Sequence, residues 1–188
     1  MENNIIYLQR HTKPMVKEGL CYGQTDLDLF PKTMEAEIMS VLKNTEKFSF
    51  SKVYTSPLKR CLTLAEAICQ QKGFPPPTMD VRLMEMNFGE WEMCAWEDIF
   101  RSPKGKEWFT NYMECCTPKG ESFLQVMERS ADFFRELDPE GNVLLVTHDG
   151  FIRASLVRCG LLDIDHAFDE RYPYGALKEI HTANTIKR

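Results

Sequence analysis

The chain has 188 residues, 43% of them hydrophobic, and a formal net charge of −5. That size and apolar content suit one globular domain, residues 1–188, with a sizeable core, and the negative balance argues against broad capture of nucleic acid or an anionic membrane. Seven scattered cysteines without a C-x-x-C pair, no basic-then-apolar leader and no apolar run of about eighteen residues point to a reduced, cytoplasmic protein without zinc framework or membrane span.

The first element is an apolar strand, Ile5 to Leu8, which ends by delivering Arg10, His11 and Thr12 side by side. A loop rich in turn formers, GLCYGQTDLDLFPK, leads to a helix from about Thr33, with Met34, Ile38, Val41 and Leu42 at helical spacing and Glu35 and Glu37 where negative charge suits the helix dipole. A short strand, Lys52 to Thr55, follows. Ser56 as N-cap and Pro57 as first helical residue then open a helix whose stripe is Leu58, Cys61, Leu62, Ala65 and Ile68, ending near Gly73. Pro75 to Thr78 cannot continue it, and an extended segment is expected over 81–84.

Residues 87–119 are irregular and hold Trp91, Trp96 and Trp108, which reads as a lid-like insertion of helices and loops. Ser122 and Gln125 fit a capping box ahead of Phe123, Val126, Met127, Phe134 and Leu137, and that helix runs out toward Pro139 and Gly141. NVLLVTHDG then repeats the opening design, an apolar strand ending in a threonine, a histidine and a turn. A helix over 151–159 stopped by Gly160 and an edge strand, Leu177 to His181, complete the pattern. Continuous apolar strands separated by amphipathic helices predict an α/β sandwich, helices on both faces of a mainly parallel sheet.

In such a sheet, ligands bind beyond the carboxyl ends of the strands. Arg10, His11 and His148 each follow an apolar strand, and Arg60 lies in the first turns of the helix after Lys52 to Thr55, so three distant segments converge on one crevice. Neutral imidazole is a competent nucleophile near pH 7, and arginine presents a planar donor fork to phosphoryl oxygens. Each residue also has a plain structural reading. Asp149 suits the N-cap of the helix near Phe151, Ser56 suits a cap, His166 and His181 suit the surface, and the tryptophans suit packing, with Trp91 close enough in sequence to wall a pocket.

The segments RHT (Arg10 to Thr12), SPLKRC (Ser56 to Cys61), EMNFGEWE (Glu85 to Glu92), GES (Gly120 to Ser122) and THDG (Thr147 to Gly150) resemble, in this order, the motifs of the histidine phosphatase superfamily, which includes the phosphoglycerate mutases. Within it, GLCYGQTDLDL together with NFGEWE is most similar to the alpha-ribazole phosphatases of cobalamin biosynthesis. The resemblance implies a phosphoglycerate mutase-like three-layer αβα fold and a metal-independent phosphomonoesterase that forms a phosphohistidine. His11 is then the nucleophile, Glu85 the proton donor and His148 a further catalytic group, with Arg10, Arg60, Gln24 and Thr25 binding the phosphate. It implies no metal, no cofactor and a small phosphorylated metabolite as partner. Composition alone does not single out Glu85 from Glu90, Glu92, Glu97 and Asp98.

Relatives usually carry glycine where Thr12 stands, two glycines where Asp149 and Gly150 stand, and threonine at Leu64. A β-branched residue at position 12 narrows the approach of backbone to phosphate. Two rival readings keep the fold: turnover of a sugar phosphate, phosphoglycerate or nucleotide, and a catalytically weak module that only binds phosphorylated ligands.

Overall fold

The computed structural model describes residues 4–137 and 140–182, so the expected exit through Pro139 lies outside the described residues. Five strands form one sheet in the order β3-β2-β4-β1-β5: β1 Ile5–Arg10, β2 Lys52–Thr55, β3 Thr78–Met79, β4 Val143–Thr147 and β5 Leu177–His181. All neighbours are parallel except β5, which runs antiparallel to β1 at the edge. Alternate residues face opposite layers. Tyr7, Val53, Leu144 and Val146 pack on helices α1 (Met34–Thr45) and α2 (Lys59–Lys72) through Val41, Leu42, Leu64 and Ile68. Ile6, Leu8, Val143 and Leu145 meet Phe133 of α5 (Phe123–Glu136) and Phe151, Ile152 and Leu156 of α6 (Asp149–Arg158). Helices on both faces explain why β4 and the first four residues of β1 are apolar without alternation.

Between β3 and α5 the chain builds a third cluster. A turn at Gly89–Trp91 and helices α3 (Trp96–Arg101) and α4 (Pro103–Thr110) bury Trp91, Ile99 and Trp108 against Phe123 and Val126 of α5. Ser102 opens α4, its hydroxyl accepting from the Gly105 N–H at 2.9 Å. The expected capping box is present: the Ser122 hydroxyl accepts from the Gln125 N–H at 3.3 Å, and the Gln125 side chain accepts from the Ser122 N–H at 3.0 Å.

Four boundaries differ from the sequence reading. β1 runs two residues past Leu8, to Arg10, because Gln9 and Arg10 stay in register with Val146 and Thr147 of β4. Residues 81–83 form a 3₁₀ turn instead of an extended segment, because the Asp80 carboxylate accepts from the Arg82 N–H at 2.8 Å and from its guanidinium, folding the chain back. α2 starts at Lys59, so Pro57 precedes the helix and Leu58 is its cap. α6 starts at Asp149 with His148 as N-cap, two residues earlier than expected. In neither case does the expected side chain cap the helix: Ser56 meets His148 Nε2 at 2.8 Å, and Asp149, the first residue of α6, pairs with Arg153 one turn along it.

Candidate active site

β1 and β4 end side by side, with Arg10 paired to Thr147, so the residues that follow, His11 and His148, are neighbours. Their ring centroids lie 5.0 Å apart. Both imidazoles are almost fully buried. His11 Nδ1 lies 2.6 Å from the Thr12 carbonyl oxygen, which can only accept, so Nδ1 carries the proton and Nε2 keeps a free lone pair. Burial, then the positive charges of Arg60 and Arg10, push the His11 pKa well below its ordinary 6.5. His148 is held down likewise, by burial, Arg60 and His11. Both rings are therefore neutral at physiological pH.

Ser56 hydroxyl sits 2.8 Å from His148 Nε2 and Cys61 Sγ 3.3 Å from the same nitrogen. The side chain expected to cap α2 thus fixes the second imidazole. Burial keeps the Cys61 thiol protonated by raising its pKa far above the ordinary value.

Arg60 is fully buried, and its guanidinium donates to the Thr25 carbonyl at 2.8 Å and to the Gly23 carbonyl. Arg10 donates to the Tyr172 carbonyl. Each cation also lies over a tyrosine ring, Arg10 over Tyr174 at 4.4 Å and Arg60 over Tyr22 at 5.5 Å, and the two hydroxyls are 2.7 Å apart. Sequence reasoning quoted Tyr22 only within its loop and missed Tyr174, whose neighbourhood carries no motif. Both arginine Nε atoms are buried without a partner.

Glu85 completes the group. Its carboxylate accepts from the Met86 N–H at 2.9 Å and the Gly150 N–H at 3.2 Å, the latter in the first turn of α6. A Cβ at position 150 would collide with that carboxylate, so glycine is required for the approach. Burial and the nearby Asp149 charge raise the Glu85 pKa above its ordinary 4.5, outweighing the two backbone hydrogen bonds and Arg10. Asp149 pairs with Arg153 at 3.0 Å instead of capping α6.

Gln24 and Thr25 are placed differently from the expectation that their side chains grip phosphate. The Gln24 amide donates to the Glu85 carbonyl at 3.0 Å, while Thr25 hydroxyl donates to Glu92. The Glu92 carboxylate also accepts the backbone N–H groups of Gly23, Gln24 and Thr25 at 2.8 to 3.1 Å. These hydrogen bonds, led by Thr25, outweigh the effect of burial and hold Glu92 below its ordinary pKa. The two residues thus brace the loop against the Glu85 segment.

His11, Arg10, Glu85 and Asp149 line one end of a cavity of about 820 Å³ whose other walls include Phe88, Trp96, Trp108, Phe109, Tyr112 and Phe168. Trp91, expected as a wall, lies behind it, edge-on to Trp108 at 5.7 Å. His166 and His181 are exposed, as read from the sequence, and His166 pairs with Asp169 at 2.7 Å. A neutral imidazole with a directed lone pair, two arginines and a carboxyl biased toward its protonated form can together carry nucleophilic displacement at an anionic centre.

The neutral histidines set the acid stability. Each has a folded-state pKa below its unfolded value, so the unfolded chain binds more protons as pH falls, and stability present above about pH 6.5 is lost on acidification. Asp80 and Glu92 act the same way only at the lower pH of carboxylates, whereas Glu85 and His166, both raised, act in the opposite sense. The urea midpoint is expected to fall between pH 7 and pH 5, and to fall less in the variant H11Q/H148Q; equal slopes would contradict buried neutral rings.

Comparison with known proteins agrees with the geometry. A protein of Hydrogenobacter thermophilus, provisionally named phosphoserine phosphatase 2, is 26% identical over 94% of this chain and 88% of its own. The adenosylcobalamin/alpha-ribazole phosphatase of Escherichia coli is 24% identical over 81% of this chain and 77% of its own. Among solved structures, the alpha-ribazole phosphatase of Shigella flexneri superposes with a TM-score of 0.78 at 22% identity, covering 94% of this chain and 89% of that one. A mycobacterial glucosyl-3-phosphoglycerate phosphatase reaches 0.82 at 20% identity, covering 95% and 90%. The family model described as histidine phosphatase superfamily (branch 1) matches residues 6–185, and the chain belongs to that superfamily.

Proposed function

We propose that this histidine phosphatase hydrolyses alpha-ribazole 5′-phosphate to alpha-ribazole and phosphate, without a metal ion, through a phosphohistidine on His11. The observation that carries the reading is the single cavity joining Arg10, His11 and Glu85 to an aromatic wall. A nucleoside-like ester with a bulky, largely apolar base needs such a surface beside its phosphate, whereas phosphoglycerate needs further cations to meet its carboxylate. Among the described residues, Arg10 is the only Lys or Arg lining that cavity, against Glu85, Glu97 and Asp149.

In this mechanism His11 Nε2 attacks phosphorus while the Thr12 carbonyl holds the Nδ1 proton and fixes the ring. The ester P–O bond breaks and Glu85 protonates the leaving oxygen. Arg10, Arg60 and His148 surround the phosphoryl oxygens, where negative charge spreads in a loose transition state. His148, neutral in the free protein, takes up a proton as the dianion arrives. Glu85, now a carboxylate, then deprotonates water, which displaces phosphate from His11.

The test is a panel of esters ranked by kcat/KM with a chelator present. Alpha-ribazole 5′-phosphate is expected to exceed 3-phosphoglycerate, fructose bisphosphate and phosphoserine by at least about tenfold. Trp96→Ala should cost about tenfold on alpha-ribazole phosphate, the worth of one ring on a base, and little on a small aryl phosphate. Preference for phosphoserine or phosphoglycerate, or indifference to the base, would overturn the substrate and leave the phosphohistidine chemistry standing.

A further inference from the structure

The GES segment singled out in the sequence leads into α5, yet its glutamate does no capping. Glu121 pairs with Arg129 two turns along α5, Oε1 to Nε at 2.9 Å and Oε2 to Nη2 at 3.2 Å. The remaining donors of Arg129 go to the chain that carries Glu85. Nη1 donates to the carbonyls of Arg82 and Met84, both at 2.7 Å, and Nη2 to the carbonyl of Glu85 itself at 3.0 Å. From the other side of the same stretch, Glu121 Oε2 accepts the Asn87 N–H at 2.8 Å. Neither side chain lines the cavity, and both are mostly buried.

We infer that Arg129, locked by Glu121, is a positioning residue for the proton donor, setting where the Glu85 carboxylate stands relative to the leaving oxygen. The inference rests on the assignment of Glu85 in the preceding section. Residues 84–88 have no regular secondary structure to hold them, so backbone carbonyls there depend on side-chain donors. A guanidinium with a fixed donor fork specifies three carbonyl positions at once, which the single ammonium of lysine cannot do. Gln24 adds one more donor to the Glu85 carbonyl, and the Met86 and Gly150 N–H groups then aim the carboxylate. Proton transfer tolerates little displacement of the donor.

The experiment compares Arg129→Lys, Glu121→Gln and Glu85→Gln on p-nitrophenyl phosphate, whose leaving group needs no proton, and on an alkyl phosphate, whose leaving group does. The readout is kcat/KM, which reports the first phosphoryl transfer when that step is irreversible. Arg129→Lys is expected to lose about 30-fold on the alkyl ester and less than about threefold on the aryl ester, with Glu121→Gln following at roughly tenfold and the same selectivity. Adding Arg129→Lys to Glu85→Gln should cost nothing further on the alkyl ester, because a donor already removed cannot be misplaced. Equal losses on both esters, or additive losses in the double variant, would overturn the positioning role. If Arg129→Lys fails to fold, Glu121→Gln carries the same comparison alone. Failure of the underlying reading looks different: Glu85→Gln itself would then show no dependence on the leaving group, and the inference would fall with it.

Discussion

His11→Ala is expected to lower kcat/KM for every phosphate ester by about 10⁴-fold or more, because it removes the atom to which phosphorus transfers and no neighbouring group replaces it. His148 cannot serve, since its Nε2 is occupied by Ser56 at 2.8 Å and Cys61 at 3.3 Å. The Cys61 thiol is buried and firmly protonated. The fold should survive, for His11 lines a cavity and its imidazole is held neutral by surroundings that disfavour its charge. Circular dichroism and thermal melting check that point. In the wild type, rapid quenching with labelled substrate should trap about one equivalent of protein-bound phosphate, labile in acid and stable in base, as a phosphoramidate is and a phosphoserine or acyl phosphate is not. Residual turnover near wild type in His11→Ala, or label that survives acid, would remove His11 from the nucleophilic role.

How much of this was legible in the sequence depends on the kind of signal. Strands buried on both faces announce themselves as unbroken apolar runs, so β4 and the start of β1 were readable on that ground, as was the rule placing Arg10, His11 and His148 at strand ends, whereas β2 and the edge strand β5, each with polar and exposed residues, gave a weaker signal. The capping box at Ser122 was readable because both its bonds are local. Ser56 and Asp149 defeated the same reasoning. Each has the residue type and spacing of an N-cap, but Ser56 turns to a distant partner, His148, and Asp149 enters the first turn of α6 and pairs with Arg153 one turn along it. Tertiary partners likewise redirect Gln24 and Thr25, whose side chains meet the Glu85 carbonyl and the Glu92 carboxylate. Glu92 itself, an anion gathering three consecutive backbone N–H groups, had no spacing signal, because its partners lie nearly seventy residues away. The aromatic wall was half legible: the irregular stretch 87–119 shows its three tryptophans, but only folding decides that Trp96 faces the cavity while Trp91 sits behind it.

Arg60→Ala is the other change with a large expected effect, and it should act on rate, stability and pH dependence together. The guanidinium is fully buried and holds the carbonyls of Gly23 and Thr25, so truncation orphans both acceptors and releases the loop that Glu92 braces from the other side. A cost of about 3 kcal/mol is expected, a fall of roughly 8 °C in Tm for a chain of this size. For catalysis, loss of a planar donor fork at the phosphoryl oxygens should lower kcat/KM about 10³-fold for aryl and alkyl esters alike, in contrast to Glu85→Gln, because every ester presents the same oxygens. The electrostatic consequence separates charge from geometry. Arg60 is, after burial, the main cause of the depressed pKa of both His11 and His148. Without it those pKa values rise, and the acid limb of kcat/KM, which reports protonation of His11 in the free enzyme, should move to higher pH. Arg60→Lys keeps the positive charge and loses the fork, so it should keep the wild-type acid limb while still losing rate and loop stability. An acid limb unmoved in Arg60→Ala, or a rate loss confined to one class of ester, would show that Arg60 serves only to tie down the loop.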